Sequence, residues 1–472
     1  MEIDSIVRSC AWSIVARLTS FKSSTTPCWG LKEESSKVNF DKTRELRAKS
    51  HDLIPGGAHT YAKGDDQYPE QAPGFIARGR GCHVWDVDGN EFIEYAMGLR
   101  AVTLGHAYPD VIRAAEKAMH HGTNFNRPSP LEVECAEEFL GIVDGAHMVK
   151  FTKDGSTATT AAITLARAVT GRDKVALCID HPFFSYNGWS IGMTPVDAGI
   201  PESDKALTLT FHYNDLDSVK ALFDAHPGEI AAVILEPSRG EDPVEGFLDE
   251  LRSLCTAEGT MLVFDEMITG FRWHLGGGQK YYGVTPDLST FGKALANGFS
   301  VSALGGKREF MERGGLRHSK ERVFLLSTTH GAETHGLAAA VATMRVYQQE
   351  PVIEHLWGIG ERLALGFTEA TREAGLEEYV HIVGKPCNLA FMTKGPDGKP
   401  SQAYRTLFLQ ETIARGVLMP SLVVSYSHTT DDIDRTIEAV RGALRVYRQA
   451  MDAGADRFLV GRPSKIVYRR YN

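Results

Sequence analysis

Between residues 148 and 306 short apolar runs alternate with stretches of helical periodicity, and no other feature restricts the fold as strongly. The strand-like runs are 148–152, 174–179, 230–235, 261–264 and 288–291, and helix-like stretches fall at 158–169 and 247–258. Such alternation predicts a mostly parallel sheet covered by helices on both faces, with ligands at the carboxyl ends of its strands. Asp265 and Lys293 both fall at such ends. Around this core, 82–93 reads as a hairpin, since two alternating apolar runs flank Asp88-Gly89. Helical periodicity returns after Ala338 to about Ala374 and again over 431–450, with shorter strand signals near 389–392 and 417–418.

Taken singly, an acid ending a strand reads as a cap and a lysine after glycine as a solvated charge. Together they suit pyridoxal phosphate chemistry. A lysine amine can bind the cofactor aldehyde as a Schiff base, while a carboxylate keeps the pyridine nitrogen protonated. The surrounding text strengthens this reading: Asp265-Glu266-Met267-Ile268-Thr269-Gly270-Phe271-Arg272, then Gly277-Gly278-Gln279-Lys280-Tyr281-Tyr282-Gly283, then Phe291-Gly292-Lys293. These segments resemble the cofactor signature of class III aminotransferases, and within them the glutamate-1-semialdehyde 2,1-aminomutase subgroup. The resemblance runs from about Pro55 to Val440. It implies an α/β fold of the fold-type I class of pyridoxal phosphate-dependent transferases, a large domain with a mostly parallel sheet plus a small α+β domain built from N- and C-terminal segments. The expected divisions are an extension at 1–40, a small-domain segment at 41–105, the large domain at 106–335, and the C-terminal small domain and tail at 336–472.

Further site residues follow from position and resemblance together. Asp154-Gly155-Ser156-Thr157-Ala158 lies between a strand and a helix, where amides and hydroxyls can hold a phosphate. A simple helix cap is the alternative. Gly155 and Ser156 match the family pattern and are assigned to the phosphate; Asp154 departs from it and would repel the dianion. Phe183 is the expected ring stacked on the cofactor, with Phe184 second. Glu236-Pro237 matches a family element at the cofactor edge. Thr328 matches a residue that reaches the phosphate of the neighbouring subunit, which implies a homodimer with shared active sites. Tyr61, Lys63 and Arg100 are the candidate substrate-binding residues. Lys63 and Arg100 depart from the aminomutase pattern: Lys63 replaces its arginine, and Arg100 brings a cation into an otherwise apolar stretch.

These departures favour an aminotransferase that moves an amino group from a donor to a separate carbonyl acceptor. The aminomutase reaction forming 5-aminolevulinate is the alternative, with a noncatalytic cofactor binder behind it. Formal charge of −9 argues against a general nucleic-acid binder. No segment approaches a membrane span. The seven cysteines, odd in number and without a Cys-x-x-Cys pair, read as reduced thiols of a cytoplasmic protein, and no metal site is expected. The first forty residues read as a flexible or loosely docked extension in preference to a transit peptide, because Glu2 and Asp4 spoil the acid-poor composition. The basic tail 462–472 can bind an anion, although a solvated or subunit-docked tail is the favoured reading.

Overall fold

The computed structural model describes residues 38–181 and 183–471. The readings made for the first thirty-seven residues, and Cys10 and Cys28 with them, lie outside the described residues. Thirteen strands are formed by the described residues. In chain order they are β1 (Ile76–Arg80), β2 (His83–Asp86), β3 (Glu91–Glu94), β4 (Met148–Thr152), β5 (Lys174–Cys178), β6 (Thr208–Phe211) and β7 (Ile230–Leu235). There follow β8 (Met261–Asp265), β9 (Leu288–Phe291), β10 (Ser302–Gly306), β11 (Val380–Val383), β12 (Ala390–Thr393) and β13 (Val417–Leu418).

The central sheet has the order β4-β10-β9-β8-β7-β5-β6. Only β10 is reversed; it pairs antiparallel with both β4 and β9, and the remaining pairs are parallel. Every residue of β7, β8, β9 and β10 is buried. Unbroken apolar runs are what a parallel strand covered on both faces needs, so Ile230-Ala231-Ala232-Val233-Ile234-Leu235 sits in the middle of the sheet. Two strands of this sheet were not expected from the sequence, and neither were β1 and β11 outside it. β6 is a run of only four with two polar threonines, and β10 is Ser-Ala-Leu-Gly-Gly without a β-branched residue, so neither has the apolar density of its neighbours.

The Asp88-Gly89 hairpin forms as expected, and β13 adds parallel to β3 with Val417 opposite Ile93. Segments more than 300 residues apart thereby share one four-stranded sheet, β1-β2-β3-β13. A helix from Thr430 to Ala453 packs against the helices Val352–Glu373 and Gln402–Ile413. Its N-terminus carries a capping box in which Thr429 and Asp432 satisfy each other's backbone amides. The basic tail departs from expectation, because it docks on its own chain. The Ser464 amide donates to Thr406 Oγ1 at 2.8 Å, the Lys465 amide donates to the Asp66 carbonyl at 2.8 Å, and Arg469 pairs with Asp66 at 2.6 Å. Among the described residues no helix is long and apolar enough to cross a membrane.

Candidate active site

Asp265 ends β8 and Lys293 follows β9 by one residue, so the parallel pairing of these neighbouring strands brings them to one edge of the sheet. Gly292 precedes the lysine because a Cβ there would lie 2.5 Å from Ser302 Oγ and 2.7 Å from Met267 Sδ. Lys293 itself takes a left-handed φ of 46°, a costly conformation for a side-chain-bearing residue and one that recurs at functional sites. Its amine makes no hydrogen bond or ion pair among the described residues. Burial pulls it down from the usual lysine range to about 8, reinforced by Arg239 and Arg100 and opposed by Asp265 and Glu236.

Asp265 is 3 % exposed. Its Oδ1 accepts from the Met267 amide at 3.0 Å and from Thr290 Oγ1 at 3.2 Å, while Oδ2 has no partner among the described residues. Burial raises its pKa to about 7, and the Glu236 carboxylate pushes it the same way. The adjacent acid behaves differently. Glu266 accepts from the amides of Gly278 and Gln279, each at 2.7 Å, and so caps the helix Gly277–Tyr282. Successive residues at a strand end face opposite ways, which separates an acid aimed into the site from one that serves the scaffold.

Glu236 follows β7 and is 3 % exposed. One carboxylate oxygen pairs with Arg239, and the other is buried without a partner. The Glu236 amide donates to His181 Nδ1 at 3.1 Å, and burial holds that imidazole neutral by lowering its pKa. Arg100 closes this group. Its Nε donates to Asn388 Oδ1 at 2.9 Å, its carbonyl accepts from fully buried Arg272 at 2.6 Å, and burial lowers it to about 10 with Arg239 and Arg272 adding repulsion. Sequence reading missed Arg239, His181, Arg272 and Asn388. Of these, Arg272 stood at the end of the quoted cofactor signature and Arg239 three residues beyond Glu236, but neither was given a role.

At the helix Gly155–Thr170, Asp154 is the cap. Its carboxylate accepts from the Thr157 amide at 2.8 Å and from Thr157 Oγ1 at 2.9 Å. The amides of Gly155 and Ser156 stand in the first turn, which has no intrahelical acceptors to offer them. The aromatic pair divides: Phe184 is 2 % exposed and packs in the core beside His181, whereas Phe183 is 42 % exposed. Thr328 is exposed, packed at Gly331. Tyr61 and Lys63 are exposed as well, and Lys63 lines a cavity of about 520 Å³ with His59, Glu94 and His106. The structure thus brings Asp265, Lys293, Glu236 and Arg100 into electrostatic contact, and leaves Tyr61, Lys63 and Thr328 outside that group.

The donor set fits pyridoxal phosphate. An unengaged amine, a carboxylate oxygen without a partner and a second, orphaned carboxylate oxygen are costly in an empty interior and are what the aldehyde, ring nitrogen and ring edge of that cofactor would meet. The sequence profile of the aminotransferase class III family matches residues 65–424. The chain belongs to this family. The glutamate-1-semialdehyde 2,1-aminomutase of Geotalea daltonii is 34% identical over 440 residues, spanning 86% of this chain and 100% of that one. Among solved structures, the FumI protein of Sphingopyxis sp. MTA144, in a form carrying PLP, is 28% identical, with a TM-score of 0.81 over 90% of this chain and 99% of its own. An omega-transaminase from Sphaerobacter thermophilus is also 28% identical, with a TM-score of 0.77 over 86% and 97%. This class III chain is accordingly a pyridoxal phosphate-dependent enzyme of fold type I, of the aminomutase-like subgroup, that moves an amino group to a carbonyl acceptor.

Proposed function

We propose that this aminotransferase works between two small molecules, with Lys293 as the reacting amine, Asp265 as the partner of the cofactor ring, and Gly155 and Ser156 at the phosphate. The observation that carries the intermolecular reading is Arg100, a guanidinium within electrostatic reach of both Lys293 and Glu236 where the aminomutase pattern has no cation. Pyridoxal phosphate, when bound, supplies the electron sink that makes a proton at the amine-bearing carbon removable. Lys293 Nζ, neutral at a pH only slightly above 8, takes that proton and returns it. Asp265 would hold the proton on the ring nitrogen of a bound cofactor, while Thr290 and the Met267 amide fix the carboxylate through Oδ1. Glu236, anchored by Arg239, borders the cofactor. Phe183 would cover its face and Arg100 would meet the substrate, with Lys63 and Tyr61, exposed and outside the Arg100 group, offered to its outer end.

The exposure of Thr328, together with Phe324 at 79 % and Leu316 at 82 %, supports a homodimer in which this loop completes the partner's phosphate site. The small-domain and large-domain divisions at 105 and 335 belong to the same reading. Five buried, unpaired cysteines among the described residues support a cytoplasmic location. Incubation with glutamate-1-semialdehyde alone, and separately with amine donors and carbonyl acceptors, tests the transfer. Turnover that requires an external acceptor is expected; 5-aminolevulinate formed without a second substrate would make the enzyme a mutase.

A further inference from the structure

Cys82, His83 and Asp432 meet between the start of β2 and the first turn of the helix Thr430–Ala453. Each offers one ligand atom, and the three atoms lie within 4.8 Å of one another, the single such group among the described residues. No metal site was expected from the sequence, since Cys82 and His83 are adjacent and the acid lies 349 residues beyond His83. Cys82 stands in the turn that joins β1 to β2, so its side chain and that of His83 converge on one acid in place of alternating as strand neighbours do. The Cys82 thiol donates to Asp432 Oδ2 at 3.4 Å, and His83 Nε2 is 3.0 Å from Oδ1. Tetrahedral zinc, at about 2.0–2.3 Å from N, O and S atoms, sets its ligands roughly 3.3–3.7 Å apart. The two pairs that include Asp432 are close to that spacing already.

The surroundings hold each side chain as a metal site requires. His83 Nδ1 stands 2.8 Å from Glu91 Oε1 on β3, the carboxylate contact that fixes the tautomer of a metal-bound imidazole and leaves Nε2 to the ion. Asp432 Oδ2 accepts from the Thr429 amide at 3.0 Å and from Thr429 Oγ1 at 2.7 Å, so one oxygen is anchored while Oδ1 turns to His83. Cys82 and Asp432 are buried. His83 is half-buried and lines, with Glu91, a cavity of about 450 Å³ that gives an ion and its water a way in. A trio that only capped the helix would need neither the thiol nor Glu91, because Thr429 and Asp432 complete the capping box between them.

We propose that Cys82, His83 and Asp432 form a binding site for zinc or a divalent cation of its class, with water in the fourth position. Sulfur, imidazole and carboxylate together suit this ion and disfavour magnesium and calcium, which take oxygen. On binding, the Cys82 S–H and His83 Nε2–H bonds break, and the sulfur, Nε2 and Asp432 Oδ1 each give a lone pair to the ion. One proton stays on the imidazole at Nδ1, facing Glu91, the rest pass to solvent, and no electron is transferred. The ion ties the β1–β2 turn to a helix 350 residues further along the chain, a metal-dependent staple between N- and C-terminal segments.

Chelator-treated holoenzyme is titrated with zinc against a chromophoric chelator, and with cadmium while the ultraviolet thiolate-to-metal charge-transfer band is followed. One zinc per chain should bind with a Kd of roughly 1 μM or below. The cadmium band should grow in step with one ion per chain, and the thermal midpoint should rise by about 3 °C at a hundredfold excess of zinc over its Kd. Cys82→Ser should abolish the band. His83→Asn should weaken zinc by more than Glu91→Gln, an exposed change expected to cost about tenfold. Zinc held no more tightly than about 0.1 mM overturns the site. So does a cadmium band that survives in Cys82→Ser, or a stability rise equal in native and Cys82→Ser proteins, either of which means adventitious binding elsewhere. Where Cys82→Ser does not fold, Glu91→Gln decides: unchanged zinc affinity overturns the site, and the tenfold loss supports it. Neither outcome bears on the aminotransferase reading, which rests on Asp265 and Lys293.

Discussion

The sheet edge that carries Asp265 and Lys293 and the cavity lined by Arg100, Arg405 and Lys465 handle charge in opposite ways. At the sheet edge each charge has an opposite or a donor within the same few residues: Asp265 has Thr290 and the Met267 amide, Glu236 has Arg239, and Lys293 stands in the field of both acids. The cavity beside it is lined by the half-buried Arg100 and Arg405 and the exposed Lys465 with no acid in its walls, although Arg100 stands in the field of Glu236. The first arrangement holds these groups in fixed geometry at the ends of buried strands, each acid tied through one oxygen and left open at the other. The candidate reacting groups are held on the buried strands, whereas the cation-lined cavity forms where segments that the sheet does not control come together.

The largest effect expected on the sheet side is that of Lys293→Ala. Loss of the Lys293 amine, which stands in the field of Asp265 and Glu236, would remove both covalent retention of the cofactor and the proposed proton carrier. Turnover should fall by roughly three orders of magnitude or more, and borohydride should no longer fix cofactor to the chain. Labelling of a different lysine in the native protein would place the reacting amine elsewhere. Asp265→Asn comes next. The amide keeps the shape and can keep the Met267 and Thr290 contacts through its oxygen, but it cannot hold the ring nitrogen protonated. A loss of roughly 10²- to 10³-fold in kcat is expected in protein that still binds cofactor fully. Turnover close to the native rate in fully loaded mutant protein would remove Asp265 from this role.

Legibility follows the same division. β7, β8 and β9, with the acid and lysine at their ends, were readable because each is a short apolar run ending in an ionisable residue, a local pattern. The order of Asp265 and Glu266 was readable too, yet the different fates of the two acids depend on Gly278 and Gln279 amides that a linear pattern does not place. Asp154 looked unfavourable beside a phosphate until its carboxylate was found turned onto Thr157. Phe183 was put ahead of Phe184 as the stacking ring from its place after β5 and not from any periodicity, which adjacent aromatics lack; burial separates the two, with Phe184 in the core. Arg405 had no signal, and Lys465 only that of the basic tail already read as able to bind an anion. Each is an ordinary polar residue on a helix face or a tail, and only the docking of residues 462–467 on Thr406 and Asp66 brings them beside Arg100.

On the cavity side, Arg100→Lys is the sharper test. Lysine keeps the charge and loses the fork, together with the Nε donor to Asn388. For an acidic substrate kcat/KM should fall by about tenfold, in line with about 1.4 kcal/mol of lost binding, with cofactor absorbance and thermal stability near native. A drop in stability with unchanged kinetics of the folded protein would make Arg100 a structural residue and would leave the two regions unconnected.

The smallest effect concerns Glu236, the one acid that both regions feel. Its charge raises the Asp265 carboxyl, raises the Lys293 amine, and raises Arg100 against the pull of burial. Cofactor capture by the cofactor-free protein needs a neutral lysine and an ionised Asp265, so its rate should rise with pH through the window between about 7 and about 8. Glu236→Gln takes away a negative charge near both groups. The carboxyl then loses its proton at lower pH because a like charge is gone, and the amine does so because an opposite charge is gone and Arg239 is no longer neutralised. Both changes carry the rise toward acid, by about one pH unit, with the plateau rate within a few fold of native. The measurement is the pH dependence of the rate at which visible absorbance appears when cofactor is added to the stripped protein. A rise that stays where it was would mean that Glu236 does not act on the reacting pair. A shift toward alkali would mean that the dominant charge near Lys293 is not this carboxylate, and that the sheet edge is less well compensated than the cavity it adjoins.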